Sequence, residues 1–552
     1  MQIFSFKLLL FLLLFSVSGF AQNTYFGQQS RHHYYIQRTE IKRGTFSNRL
    51  FTGIIPYERK DAVFDTSFIQ QNKVEQYNYN SLLRNNLEWL PNDRNKFASK
   101  KSILKHFYTT PAHAYSHYGD DFFITADPLF HYRQSFSNEE TGDNLFLNQR
   151  GVAVRGGIAN QVGFSASVMD VQERGPLFFR QWEDSLLSVP GANFYKKFKG
   201  TGVDYIDARG SFTFKANRYI RFHAGYDRNF IGSGYRSLFL SDFAGNNLFV
   251  KINTRFWKLN YQNLFMELHA GAANNNVNNI VPKKYAAMHH LSLNLRPWLN
   301  IGFFEGVIFG RKDRFEFGYL NPVIFLRSIE GNLGSRDNAL IGADVNALLF
   351  KRVKVYGQLF LDEFNFSKLR QDASWWGNKT GFQLGMNYVD FAGISNLDLQ
   401  AEWNRVRPFT YSHFDSVSNY SHYNQPLAHP FGANFNEVIG ILRYQPVGKL
   451  SLTAKLIAWK QGLDSTSGYN AGGNIFRLSG DGRVSEFGYK QLNGVEARGI
   501  NASLLASYEI RENIFVDAYA MVRRFLKDAY RQNLSLFSIG LRINLWYRDY
   551  DY

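Results

Sequence analysis

Residues 537 to 547 read FSIGLRINLWY. Phe537, Ile539, Leu541, Ile543, Leu545 and Tyr547 take every odd place, with Ser538, Gly540, Arg542 and Asn544 between them. Successive side chains of a β-strand point to opposite faces, so this two-residue period predicts a strand that is apolar on one side and polar on the other. A transmembrane barrel strand has that division, with hydrocarbon outside and a polar lumen behind it.

The pattern recurs upstream. In LDLQAEWN (397 to 404), Leu397, Leu399, Ala401 and Trp403 alternate with Asp398, Gln400, Glu402 and Asn404. NASLLASYEI (501 to 510) and VKVYGQLFLD (353 to 362) repeat it. Read back from the C-terminus, strands are expected to start near residues 537, 514, 500, 451, 437, 397, 381, 353, 339, 301, 287, 260, 249, 219, 205, 162, 150 and 120. This gives about 18 starts, an even number as in bacterial single-chain barrels.

The connections sort into two sets. Short turns are expected at Asn160-Gln161, Asn217-Arg218, Pro297 to Asn300, Phe350 to Arg352, Pro446 to Leu450 and Arg511 to Asn513. Long ones are expected over 172 to 204, 230 to 247, 272 to 286, 310 to 337, 363 to 379, 405 to 436 and 461 to 499. Short turns on one rim and long loops on the other are the mark of an outer-membrane barrel with its long loops outside the cell. A soluble sandwich has no reason to sort its loops in this way.

Composition agrees. Of 552 residues, 17% are aromatic (52 Phe, 32 Tyr, 9 Trp), and 45 are Gly against 13 Pro. With a mean hydropathy of -0.32, this suits strands apolar on one face only, with aromatic girdles at the interfaces. The absence of cysteine rules out a disulfide framework, a thiolate metal site and a lipidated cysteine. MQIFSFKLLLFLLLFSVSGFAQ places Lys7 before the apolar run Leu8 to Val17 and a small-residue end, which predicts a signal peptide over 1–21 with cleavage after Ala21. Beyond it, no apolar run approaches the roughly 18 residues of a spanning helix.

Residues 22–118 read differently. SFIQQNKVEQYNYNSLLRNNLEWL and, after Pro91, DRNKFASKKSILKHFY are expected to be helices, the second with Asp93 as N-cap and with Phe97, Leu104 and Tyr108 near one face. The domain expectation is a partly helical periplasmic region over 22–118, closing the barrel mouth, and a transmembrane barrel over 119–552.

Signatures of chemistry are weak. Gly232-Ser-Gly234-Tyr-Arg-Ser237 lacks the third glycine and the βαβ unit of a dinucleotide fingerprint. His413, Asp415, His422 and His429 share a loop at spacings that match no helix-borne zinc pattern. Ser421-His422 with Asp415 carries no readable triad geometry. The expectation is therefore no enzyme, no cofactor and no metal. The formal charge of +17 is scattered rather than striped, which argues against nucleic acid. Anionic partners outside such a barrel are lipopolysaccharide and acidic polysaccharide, although arginines lining the lumen account for the charge equally well.

Several loop stretches exceed what composition explains: RNFIGSGYRSLFLSD (228 to 242), YLNPVIFLRSIEGNLGSRDNALIGADV (319 to 345), YSHYNQPLAHPFGAN (420 to 434), VPG (189 to 191) and KINTRFWKLNYQNLFMEL (251 to 268). In this order, from about residue 95 onward, they resemble the Wzi-type capsule-assembly outer-membrane proteins, closest to the branch that includes the gliding-motility barrels called RemB. The resemblance implies an 18-stranded barrel with a helical periplasmic element that holds surface polysaccharide and performs no chemistry. It also raises motility or secretion machinery as partners.

Sugar rings present apolar faces to aromatic side chains, and their hydroxyls or uronate groups bond Arg and Asn. On that ground Tyr235, Arg236 and Asp242 in one loop, Arg327, Glu330, Arg336 and Asp337 in the next, and His422 and His429 are candidate polysaccharide contacts. Each residue would serve equally well to tie a loop into the barrel.

Overall fold

The computed structural model describes residues 24–552 except 28–29, 67–71, 100–101, 104–105, 140–143, 160, 272–279, 313, 324–325, 334–336, 364, 416 and 466–467. The expected signal peptide and Asn160 lie outside the described residues.

Eighteen antiparallel strands close into a barrel. They are β1 (Phe122–Ser137), β2 (Leu145–Ile158), β3 (Val162–Arg174), β4 (Gly202–Lys215), β5 (Ile220–Asp227), β6 (Asn247–Phe256), β7 (Leu259–His269), β8 (Lys283–Arg296) and β9 (Leu299–Phe309). The circuit continues with β10 (Asn338–Leu349), β11 (Val353–Glu363), β12 (Lys379–Tyr388), β13 (Leu397–Val406), β14 (Phe435–Val447), β15 (Leu450–Leu463), β16 (Val495–Arg511), β17 (Ile514–Lys527) and β18 (Tyr530–Ile543). β18 closes on β1 in the register Leu536↔Ser137 to Ile543↔Phe130. Full closure leaves no edge strand, the condition for a sheet to cross hydrocarbon.

The wall obeys the predicted alternation. Phe537, Ile539 and Leu541 are exposed on the outer face, whereas Ser538 and Arg542 are buried on the inner one. Arg542 reaches across the lumen face to Asp517 with two bonds of 2.8 and 3.0 Å. Asp398, Gln400, Glu402 and Asn404 of β13 all face inward and are buried. The protein is an outer-membrane β-barrel: its strands turn apolar side chains outward, and pairs such as Arg542–Asp517 and Arg38–Asp398 lie inside. No helix among the described residues is long and apolar enough to cross a membrane.

Two expectations need correction. β18 stops at Ile543, and Asn544 takes a left-handed conformation (φ 54°), so Leu545 and Tyr547 do not continue the wall. Instead the tail turns into the lumen, where Tyr547, Tyr550 and Tyr552 are buried. The predicted helix over 93–108 is a 3-10 segment (Pro91–Phe97) followed by a hairpin of Phe107–Thr110 and His113–Tyr118. That hairpin adds to β1 from Tyr115↔Ala126 to Tyr118↔Phe123, taking the place that β18 vacates. β-Branched and aromatic residues over 107–118 suit an extended ladder, and this overrides the helical spacing of Phe97, Leu104 and Tyr108.

The remaining N-terminal region lies at the short-turn end of the lumen and is held there by charge. It contains α1 (His33–Arg43), α2 (Arg59–Asp65) and α3 (Lys73–Arg84). α3 falls within the first predicted helix, shorter than expected, and is capped by Asn72, whose side chain accepts from the N–H groups of Val74 and Glu75. Arg38 of α1 pairs with Asp398, Asp390 and Glu75. Arg31 pairs with Glu509 and Arg84 with Glu512, while Lys354 of the wall meets Glu40 at 3.1 Å. These contacts link α1 and α3 to the ends of β13 and β16 and to the turns that follow β12 and β16.

Candidate functional site

At the long-loop end the lumen is filled from above. Leu238 and Phe239, from the loop after β5, enter an apolar cluster with Phe304, Phe360, Tyr411 and Tyr420. Phe239 stacks on Phe304 with ring centroids 4.7 Å apart. It approaches the wall so closely that a Cβ on Gly342 would lie 2.5 Å from its ring, so this strand position requires glycine. Tyr411 and Tyr420 donate to the carbonyls of Leu238 and Phe239, so the loop after β13 pins the loop after β5.

Beneath this plug lies the tail. Lys455 of β15 meets Asp549 at 2.6 Å and Asp551 at 3.2 Å. Arg236 donates to the Asp551 carbonyl, and Tyr235 bonds the Asp551 carboxylate. Arg548 pairs with Glu173 at 3.0 Å, and Tyr550 and Tyr552 pack edge-on against Phe178 of helix α4 (Leu177–Leu186). The lumen retains chambers of about 310, 260 and 330 Å³ that share Trp546 in their lining.

The predicted contact residues fall into three places. Tyr235, Arg236 and His429 are brought together in the lumen network. Arg236 lies 3.8 Å from Glu437, and its backbone N–H donates to Glu402. His429 accepts the Phe431 N–H at Nδ1 (3.2 Å), so its proton sits on Nε2 and is given to Glu437 at 2.7 Å. Burial holds this ring below the usual histidine range, although Glu437 pulls the other way.

His422 and Asp242 lie at the side of the plug. His422 accepts the His269 N–H at Nδ1 and donates from Nε2 to the Asn246 carbonyl, both at 3.0 Å. With both nitrogens engaged in a dry site, burial lowers its pKa to about 3. Burial raises the Asp242 carboxyl above its usual range, opposed by Arg228. Ser421 is buried against Lys284 and Asn419, so the Ser421-His422 pair presents no accessible nucleophile. Among the described residues no group of three or more His, Asp or Glu is placed to hold a metal.

Arg327, Glu330 and Asp337 sit on the outside of the barrel, and Arg336 lies outside the described residues. Asn263, His289 and Glu305 form a cross-strand row on β7, β8 and β9. Strand parity points them outward, yet all three are buried. The loop 310–337 covers them. Asn263 donates to the Pro322 carbonyl (3.1 Å), His289 meets Glu305 (3.0 Å), and the Leu326 N–H donates to Glu305 (3.0 Å). Asp337 is buried against Arg311 (2.6 Å) and Tyr319 (2.6 Å), and Glu330 takes Arg327 at 3.2 Å. Asp337 thus ties the two ends of the loop and Tyr319 together, whereas the Glu330 pair lies within one helix.

A surface that faces away from the barrel is built by the loops after β11, β13 and β15. The Glu486 carboxylate accepts both indole N–H groups of Trp375 (3.2 Å) and Trp376 (2.9 Å). Arg483 lies over the Trp376 ring, 3.8 Å from its centroid, and meets Glu486 at 3.2 Å. Partial burial would raise the Glu486 carboxyl, but the two indole donors and Arg483 hold it below its usual range. Phe366, Arg370, Asp372 and Lys490 are exposed around this centre. Apolar rings beside fixed cations and a carboxylate suit a ligand that has both apolar faces and hydroxyl or acidic groups. In the sequence the adjacent tryptophans in a long polar loop are the one local sign of this cluster, whose other members lie more than a hundred residues away.

No protein-family model matches the chain, and no curated protein matches it. Its fold is similar to that of an Escherichia coli outer membrane protein, Wzi, described as involved in group 1 capsule assembly and as a carbohydrate-binding β-barrel. The identity is 13%, the match covers 96% of this chain and 100% of that chain, and the TM-score is 0.55. Pseudomonas aeruginosa OprD follows at 11% identity, 76% and 94% coverage and a TM-score of 0.43. Acinetobacter baumannii OccAB4 is similar at 8% identity, 77% and 98% coverage and a TM-score of 0.43.

Proposed function

We propose that the protein is a non-enzymatic outer-membrane barrel that binds or organises acidic surface polysaccharide in capsule assembly. One observation carries this reading: the loops after β5 and β13 fold into a hydrogen-bonded cap over a plugged lumen, so the molecule offers a fixed outer surface in place of a wide channel. The cluster around Trp376, Arg483 and Glu486 is the part of that surface best suited to sugar. Tyr235, Arg236, Asp242, His422 and His429 then act beneath it, by fixing the cap. On this reading residues 1–21 direct export and the region 22–118 faces the periplasm.

Kinship with the Wzi-type proteins is supported by the loop motifs and by the likeness of fold, and placement in their RemB-like branch by the loop motifs alone. Deletion of the gene, with cell-bound and shed polysaccharide measured separately, tests the proposal. Loss of retention is expected, and unchanged retention rejects it. A motility or adhesion defect with intact retention would favour a barrel that docks protein partners. Binding of the purified barrel to a glycan array should fall about tenfold in Trp376→Ala, the order expected for an aromatic and cation contact worth roughly 1–2 kcal/mol.

A further inference from the structure

The loop 310–337 leaves β9 at the long-loop rim and descends the outside of the wall. It reaches the row of Asn263, His289 and Glu305, then returns to β10. Without it, these polar groups would face the surroundings of the barrel directly. With it they are sealed: His289 is 0% and Glu305 6% exposed. The inner face of the loop is accounted for by Tyr319, Leu326 and Ile329, which pack on Phe265, Ala287 and Val307 of the wall.

Its outer face is apolar and open. Phe317 is 78% exposed and Val323 57%, and Leu320 and Leu333 are exposed as well. Four such side chains in one loop of a water-facing surface would be a liability. Their setting explains them. Ile341, the cross-strand partner of Glu305, and Phe303 two residues below it are exposed lipid-facing wall residues, so the loop surface continues the hydrocarbon-facing surface outward. Lys312, Arg314 and Arg327 are exposed on the same loop, the first two just beyond the end of β9 at the rim. Cations at the rim above apolar side chains match a lipid whose acyl chains lie below anionic groups.

We propose that the described residues of the loop 310–337 form a lipid-facing flap embedded in the outer leaflet. Its apolar residues contact acyl chains, and Lys312 and Arg314 bind the phosphate groups of lipopolysaccharide. The inference is independent of the polysaccharide reading.

The chain contains no cysteine, so Val323→Cys and, as a water-facing control, Ser485→Cys each give a single labelling site. Each full-length variant is labelled with an environment-sensitive fluorophore and reconstituted, after its folding is checked by heat-modifiable gel mobility, in vesicles containing lipopolysaccharide. Brominated acyl chains should quench the label at 323 at least threefold more than that at 485, and iodide at least threefold less. Equal iodide quenching at both positions overturns the embedding. For the headgroup, lipopolysaccharide retained per barrel through purification is measured by mass spectrometry. It should fall at least fivefold in Lys312→Glu/Arg314→Glu, while vesicles of phosphatidylglycerol alone should not protect the wild-type loop from protease. Unchanged retention, or full protection by phosphatidylglycerol, overturns the assignment to lipopolysaccharide.

Discussion

Arg31 grips Glu509 through two contacts of 2.6 and 2.8 Å, so the start of the described chain is fastened to the end of β16, almost five hundred residues away in sequence. Tyr77 of α3 bonds the same carboxylate at 2.7 Å. Arg31→Ala should loosen the N-terminal layer by roughly 1.5–3 kcal/mol, the value of a charge-assisted hydrogen bond. Limited proteolysis should show faster cleavage around α1 and α3 with the barrel itself intact; unchanged cleavage would mean that the other ion pairs suffice.

Removal of residues 546–552 should merge three internal chambers, because Trp546 lines each of them. The intact chain is expected to conduct little in a planar bilayer, and the truncated one several times more. Equal conductance would show that the loops alone close the lumen.

The tail should also respond to acid. Burial by itself would raise the Asp551 carboxyl, but Arg236 and Lys455 outweigh it and hold the group well below the usual carboxylate range. A depressed folded pKa gives stabilisation that is complete above the unfolded value of about 4 and is lost as pH falls below it. Conductance of the intact chain should therefore stay low from neutral pH to about 4 and rise below, and Asp551→Asn should remove much of that dependence.

His422 acts in a higher window. Its folded pKa of about 3 lies below the unfolded value of about 6.5, so protonation favours the opened cap progressively as pH drops through that interval. Hydrogen exchange of the segment around 420–426 should accelerate from pH 6.5 toward 4. His422→Gln retains one acceptor and one donor without a titrating ring and should flatten the curve.

Phe537→Arg places a cation on the lipid face at the middle of β18 and should cost about 2–4 kcal/mol near the bilayer midplane. The refolded yield and the urea midpoint should both fall. A fully stable variant would contradict the assignment of this face to hydrocarbon.

The wall was legible because its rule is local. Every predicted strand start falls within a few residues of an observed strand, and residues such as Asp398 and Glu402 turn inward by parity alone. The loop motifs were legible as unusual, but not in their role. Tyr235, Arg236 and His429 looked like ligand contacts, yet they serve the interior, because charged and hydroxyl groups suit a sugar and a buried ion pair equally well. Trp375 and Trp376 gave little warning, since Glu486, which organises them, lies more than a hundred residues away.

The sequence by itself determined the number of strands, the face each residue within the wall takes and which rim bears the long loops. A two-residue period against two different solvents leaves no other choice. Only the tertiary structure decided that Asn544 turns the chain end into the lumen, that residues 107–118 mend the wall beside β1, and that the loop 310–337 folds outside while the loop after β5 folds inside. Those outcomes depend on which polar and apolar surfaces the closed barrel leaves uncovered, and such surfaces exist only after closure.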